Sequence, residues 1–150
     1  MSPEQNRLLD KARNYCAFQE RSLFETKTKL ESWLATESTV KKILLILEQE
    51  GFIDEERYAN IFAISKLRQN KWGKNKIIYA LRQKQVPDLF IQMAIGAIED
   101  DEYINILKTL ISRKKKTESE TYKEQAKLVV YAQQKGFQPS LAWRVVKGEI

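Results

Sequence analysis

The sequence predicts an all-α chain: three tandem three-helix repeats forming an elongated, curved stack. Three observations carry that expectation. Apolar residues recur at spacings of three and four along nearly the whole chain, and few runs alternate as strands do. Gly and Pro are scarce, five and three in 150 residues, too few for a turn-rich sandwich or a disordered linker. Five small or apolar columns return to register when the chain is slid along itself by 51 residues.

The elements follow in order. Leu9, Ala12 and Cys16 share one apolar face of an opening helix, which makes Cys16 a buried thiol. Val40, Ile43, Leu44 and Leu47 form an amphipathic stripe that Gly51 ends, since glycine takes the left-handed conformation of a helix stop. Asp54 then sits at an N-cap position, with Glu55 and Glu56 suited to the positive end of the next helix. Tyr58, Ile61, Phe62 and Leu67 line that helix less tidily. Gly73 breaks it, and Ile77, Ile78 and Leu81 begin another stripe. Pro87 opens the run Leu89 to Ile98, read as largely buried, with Gly96 allowing close packing. Tyr103, Ile106, Leu107, Leu110 and Ile111 make the seventh helix, and Leu128 to Ala132 the eighth. Gly136 and Pro139 punctuate the approach to the last, Leu141 to Val146. Trp33 and Trp143 are expected to be packing residues.

The 51-residue period fixes the repeat. Leu30, Leu81 and Ala132 fall in one column, as do Ala35, Val86 and Phe137. Val40, Ile91 and Ala142 form a third, Ile43, Ala94 and Val145 a fourth, and Leu44, Ile95 and Val146 a fifth. The expected repeats are 1–54, 55–99 and 100–150. Each is too small to bury its own core well, so neighbours should stack.

Composition narrows the chemistry. The chain has no His, which removes His-based acid–base catalysis, His-activated nucleophiles and His-containing metal sites. Its single Cys cannot form an internal disulfide or a Cys-only zinc site. No nucleophile–base pair, phosphate-cradling loop or metal-ligand spacing is visible, so no enzyme and no cofactor are expected. The run Glu99 to Glu102 could hold a hard cation, but it reads better as the acidic first turn of the seventh helix. The longest aliphatic run, Ile43 to Leu47, is far short of a membrane span, and the N-terminus lacks the apolar core of a signal peptide. A cytoplasmic protein, monomeric and without a membrane partner, is expected.

The formal net charge is +6. Its distribution is uneven. From Arg57 to Pro87 the chain carries Arg57, Lys66, Arg68, Lys71, Lys74, Lys76, Arg82 and Lys84 and no acid. Arg113, Lys114, Lys115 and Lys116 form a second basic run. A field of one sign favours a polyanion or an acidic protein face, unless acids arrive from neighbours in space. Trp72 stands among the lysines of a turn, where it could stack on a base or in an apolar partner groove, or pack beneath the loop.

At the join of the first two repeats the residues form a pattern. Leu47 leads to Gly51, Phe52, Ile53 and Asp54, then Glu55, Glu56, Arg57, Tyr58 and Ala59, followed by Phe62. After it comes a basic Gly-containing turn, Gly73 to Lys76, and a helix ending in Leu81, Arg82, Gln83 and Lys84. This resembles the RecX family, regulators of the RecA recombinase. The pattern covers 47–84, with the threefold repeat extending it. Gln85 and Leu34 stand where the family's turns have Gly, and side chains resist the left-handed conformation such turns use. The resemblance implies binding to RecA, or to its filament on single-stranded DNA, and inhibition of strand exchange and coprotease action. Gly51, Phe52, Ile53 and Asp54 read mainly as a helix stop, two apolar plugs and a helix start. Arg57 is expected to pair with Asp54 or Glu56, or to face a partner, and Tyr58 beside it belongs to the same motif. A second reading stays open from the residues alone, a sequence-independent nucleic-acid-binding helical repeat with no recombinase target.

Overall fold

A computed structural model describes residues 1–116 and 121–150. Nine helices and no strands occur among them. They are α1 (Pro3–Phe18), α2 (Leu23–Ser32), α3 (Glu37–Gln49), α4 (Glu55–Asn70), α5 (Lys74–Gln83), α6 (Asp88–Gly96), α7 (Asp100–Lys114), α8 (Tyr122–Gln134) and α9 (Pro139–Val146). Their starts carry the chemistry expected of N-caps. The Ser2 and Ser22 hydroxyls accept from Gln5 and Glu25 N–H, and both close capping boxes. The Asp54 carboxylate accepts from Arg57 N–H at 3.0 Å.

The chain gathers into two compact units. The first is 1–61 with 81–91. Here α1, α2 and α3 pack together around Leu9, Ala12, Cys16, Leu30, Val40, Ile43 and Leu47. Ile53 is buried in that core and Phe52 packs against it. The Cys16 thiol is buried, which raises its pKa against a lowering contact with Thr26. The second unit is 62–80 with 92–150, where α7, α8 and α9 pack together. Leu107, Ala132, Phe137 and Ala142 have no exposed surface there.

The 51-residue period is visible in the turns. Leu34, Gln85 and Gly136 all take left-handed backbone, with φ of 63, 56 and 99°. The N–H after each closes the same turn: Ala35 donates to the Leu30 carbonyl, Val86 to Leu81 and Phe137 to Ala132, at 3.2, 3.2 and 3.0 Å. The conformation the family serves with Gly is therefore kept by Leu34 and Gln85. The acceptors Leu30, Leu81 and Ala132 are fully buried, so the core column anchors the turn.

Two expectations need correction. The α6 run is only half buried: Ile91, Ala94, Ile95 and Ile98 are inside, while Leu89 and Met93 are exposed. Gly96 mediates no close packing, because a Cβ there would meet nothing within 4 Å.

Candidate functional site: a lysine cluster around Trp72

Space divides the acid-free stretch in two. Four of its eight cations meet carboxylates brought from elsewhere. Arg57 Nε donates to Glu20 at 2.8 Å and its Nη2 to the Gly51 carbonyl at 3.1 Å, so its side chain serves Glu20 rather than Asp54 or Glu56. Arg68 makes a two-pronged bond to Glu102, at 2.6 and 3.2 Å, which holds that carboxyl below the usual carboxylate range. Arg82 reaches Asp88 at 3.4 Å and Lys84 lies 3.7 Å from Glu25. The other four, Lys66, Lys71, Lys74 and Lys76, have no carboxylate partner among the described residues. All four belong to the end of α4, the following loop and the start of α5.

The loop is built to hold them. Lys71 takes φ 58°, and Trp72 N–H donates back to the Lys66 carbonyl at 3.1 Å. That turn brings the half-buried Trp72 ring edge-on to Phe62, with centroids 6.5 Å apart. Lys66 Nζ and Lys76 Nζ lie 5.0 and 4.8 Å from the Trp72 centroid. Lys66 also lies 5.4 Å from the Phe62 ring. Each is a cation–π contact, worth about 0.5–2 kcal/mol. Trp72 is therefore both a loop-packing residue and the platform that gathers two ammonium groups.

Tyr103 fixes the other side of the loop. Lys74 N–H donates to its hydroxyl at 2.9 Å, and that hydroxyl donates to Gln138 Oε1 at 2.7 Å. Lys74 Nζ lies 4.7 Å from the Tyr103 ring. Burial pushes the Tyr103 phenol up to about 12, against the lowering effect of the Lys74 N–H. Tyr103 escaped the sequence reading as a site residue. Its one signal is position, since it is the fourth residue of α7 as Tyr58 is of α4, and both are buried. Burial pushes the Tyr58 phenol well above its ordinary value, and its hydrogen bond to Glu25 raises it further.

The second basic run ends α7. Lys114 Nζ lies 4.9 Å from the Tyr131 ring. Arg113 lines a groove with Lys71, while Lys115 is half-buried and Lys116 exposed. Glu99 to Glu102 form the N-cap and first turn of α7, and no group able to hold a metal ion occurs among the described residues. Trp33 packs on the first unit's core with its ring edge toward Tyr15, and Trp143 stacks on Tyr122 at 5.4 Å. No helix among the described residues is long and apolar enough to cross a membrane.

Comparison with known proteins places these features. Residues 54–95 match a family model described as RecX, second three-helix domain, and residues 100–146 match RecX, third three-helix domain. A regulatory protein RecX of Clostridium botulinum is 32% identical over 115 residues, covering 74% of this chain and 53% of that protein. One of Clostridium beijerinckii is 26% identical over 161 residues, covering 98% of this chain and 75% of the relative. The chain thus spans about half the length of several curated relatives it matches. A crystal structure of RecX from Lactobacillus salivarius superposes with a TM-score of 0.88 at 19% identity, over 99% of this chain and 97% of that one. A crystal structure of a regulatory protein RecX gives 0.85 at 21% identity, over 96% and 73%. At those identities the likeness establishes the fold.

Proposed function

The chain belongs to the RecX family of regulatory proteins, and from that premise we propose that it is a non-enzymatic regulator of the RecA recombinase. In this reading it binds RecA or the RecA–single-stranded DNA filament and inhibits its recombinase, ATPase and coprotease activities, through the repeats 1–54, 55–99 and 100–150. The observation that carries the reading to a surface is the set of lysines 66, 74 and 76, which lie against aromatic rings at one loop and meet no carboxylate among the described residues. Charges already neutralised inside the protein add little to a partner's binding. Unpaired ones beside an aromatic platform keep their field for a polyanion or an acidic face. Lys66 and Lys76 stand within about 10 Å of each other through their shared ring.

The test is RecA's DNA-dependent ATPase and strand exchange with the purified full chain added. Lys66→Glu, Lys74→Glu and Lys76→Glu together should weaken inhibition about tenfold or more with helix content unchanged. A folded triple variant that inhibits as well as the parent would leave the cluster a solvated surface. If the protein instead binds oligonucleotides tightly and ignores RecA, the sequence-independent reading stands. Loss of three phosphate contacts would then lower the slope of log affinity against log salt by about two.

A further inference from the structure

The α4–α5 loop sends its cations two ways. Lys66 and Lys76 go to Trp72, whereas Lys71 borders a groove of about 510 Å3 along the outer face of α7. The floor of that groove is aliphatic, made by the half-buried Ile106 and Leu110. At its end near Lys71, whose ammonium also donates to the Arg68 carbonyl, stands Glu102, already held by Arg68 through two bonds. At the far end stands Arg113, which has no carboxylate partner among the described residues. The Thr109 hydroxyl donates to the Asn105 carbonyl within α7, so its proton is spent. What remains on offer is an apolar strip with a cation at each end. From Glu102 to Arg113 the face runs about 16 Å, three turns of helix.

We propose that this face of α7 is a docking groove for an acidic amphipathic segment of the protein partner, with aliphatic side chains between two carboxylates. The inference rests on the reading that the partner is RecA. Charge complementarity selects the occupant: Lys71 and Arg113 answer acids, and Ile106 and Leu110 answer aliphatic residues. Among the described residues no aromatic side chain lines the groove for a base to stack on. The groove thereby separates protein contact from the Trp72 cluster on the same loop.

The test is the full-length variant Lys71→Gly with Arg113→Ser. Arg113 is exposed and Lys71 half-buried, and glycine suits the left-handed φ of 58° at position 71, which offsets loss of the Lys71 ammonium's bond to the Arg68 carbonyl, so the thermal midpoint should not fall. The concentration giving half-inhibition of RecA's DNA-dependent ATPase should rise about tenfold. Affinity for a fluorescein-labelled oligo(dT), measured without RecA, should stay within about twofold, since the Trp72 lysines are untouched. That pair of results supports the groove. Unchanged inhibition by the variant overturns it while leaving the RecA reading in place. An equal fall in oligo(dT) affinity also overturns it, because the groove then takes nucleic acid. A parent protein without effect on RecA overturns both.

Discussion

The start of α2 in the first unit and the start of α5 in the second occupy the same place in the 51-residue period, with Ser22 matching Gly73. They meet their surroundings with opposite chemistry. At α2 side chains do the work. Ser22 and Glu25 close a capping box, Glu55 Oε1 accepts Leu23 N–H at 2.7 Å, and Lys84 approaches Glu25. At α5 the backbone itself is the contact. Gly73 N–H donates to the Lys135 carbonyl at 2.7 Å, Asn75 N–H to Gly136 at 3.0 Å, and Lys74 N–H to the neutral Tyr103 hydroxyl. One position in the period is thus served by buried charge in the first unit and by missing side chains in the second. The two junctions should fail in different ways: the first to pH, the second to added bulk.

The largest effect expected is at Gly136. A Cβ there would lie 2.3 Å from Lys76 Cβ and 2.8 Å from Lys76 N, and its φ of 99° already disfavours a side chain. Across the same contact, a Cβ on Gly73 would lie 2.3 Å from Phe137 N. Backbone cannot move aside as a flexible side chain can. Gly136→Ala should cost about 3–5 kcal/mol, read as a lowered midpoint in denaturant. Gly51→Ala is the control. It shares the left-handed φ, at 81°, but its Cβ meets nothing within 4 Å. Only the conformational cost applies there, about 1–2 kcal/mol. Equal losses at the two positions would mean that close approach of the two turns contributes nothing.

The side-chain junction carries a pH signature. Glu55 is buried and its Oε2 has no hydrogen-bond partner among the described residues. Burial pushes its carboxyl above the usual range, against the Leu23 N–H, with Glu48 and Glu25 adding to the rise. A group whose folded pKa is raised gives stability that is full below its unfolded value and is lost as pH rises through the folded value. Ionisation of Glu55 is therefore a cost. Glu55→Gln keeps an oxygen for Leu23 N–H and removes the charge, so it should stabilise by about 1 kcal/mol at pH 7. The gain should shrink at pH 4, where Glu55 itself becomes protonated. A gain independent of pH would show that charge burial is not the cause.

The comparison also marks what the sequence could disclose. Helix faces, caps and the 51-residue columns are local or periodic, so Leu30, Leu81 and Ala132 announced themselves and lie fully buried. The RecX motif at 47–84 stood in the residues for the same reason. Ion pairing is neither local nor periodic. Arg57 finds Glu20, Lys84 finds Glu25 and Arg68 finds Glu102 across long stretches of chain, and with Arg82 on Asp88 the acid-free run overstated the unneutralised positive charge twofold. Nor could spacing reveal that Lys71 would part from Lys66 and Lys76, because that depends on a left-handed residue in the loop. Gly96 erred the other way. A glycine in an apolar helix suggests close packing, yet here it faces open space.

The smallest effect tests the turns themselves. Leu34 and Gln85 are exposed and left-handed where Gly136, their equivalent, is glycine. Left-handed backbone costs a side-chain-bearing residue about 1–2 kcal/mol. Glycine would remove that strain but adds freedom to the unfolded chain, returning about 0.4–1 kcal/mol. Leu34→Gly and Gln85→Gly should therefore each stabilise by about 0.5–1 kcal/mol, read from denaturant midpoints at constant slope. Leu34 is the sharper of the two, since at 90% exposure its side chain buries almost nothing that the change would forfeit. Both substitutions should leave the Ala35 and Val86 turn bonds in place, because those bonds use backbone alone. A loss of stability at Leu34 would mean that its side chain supports the turn through contacts the fold does not display, and the likeness between the three turns would then stop at their dihedral angles.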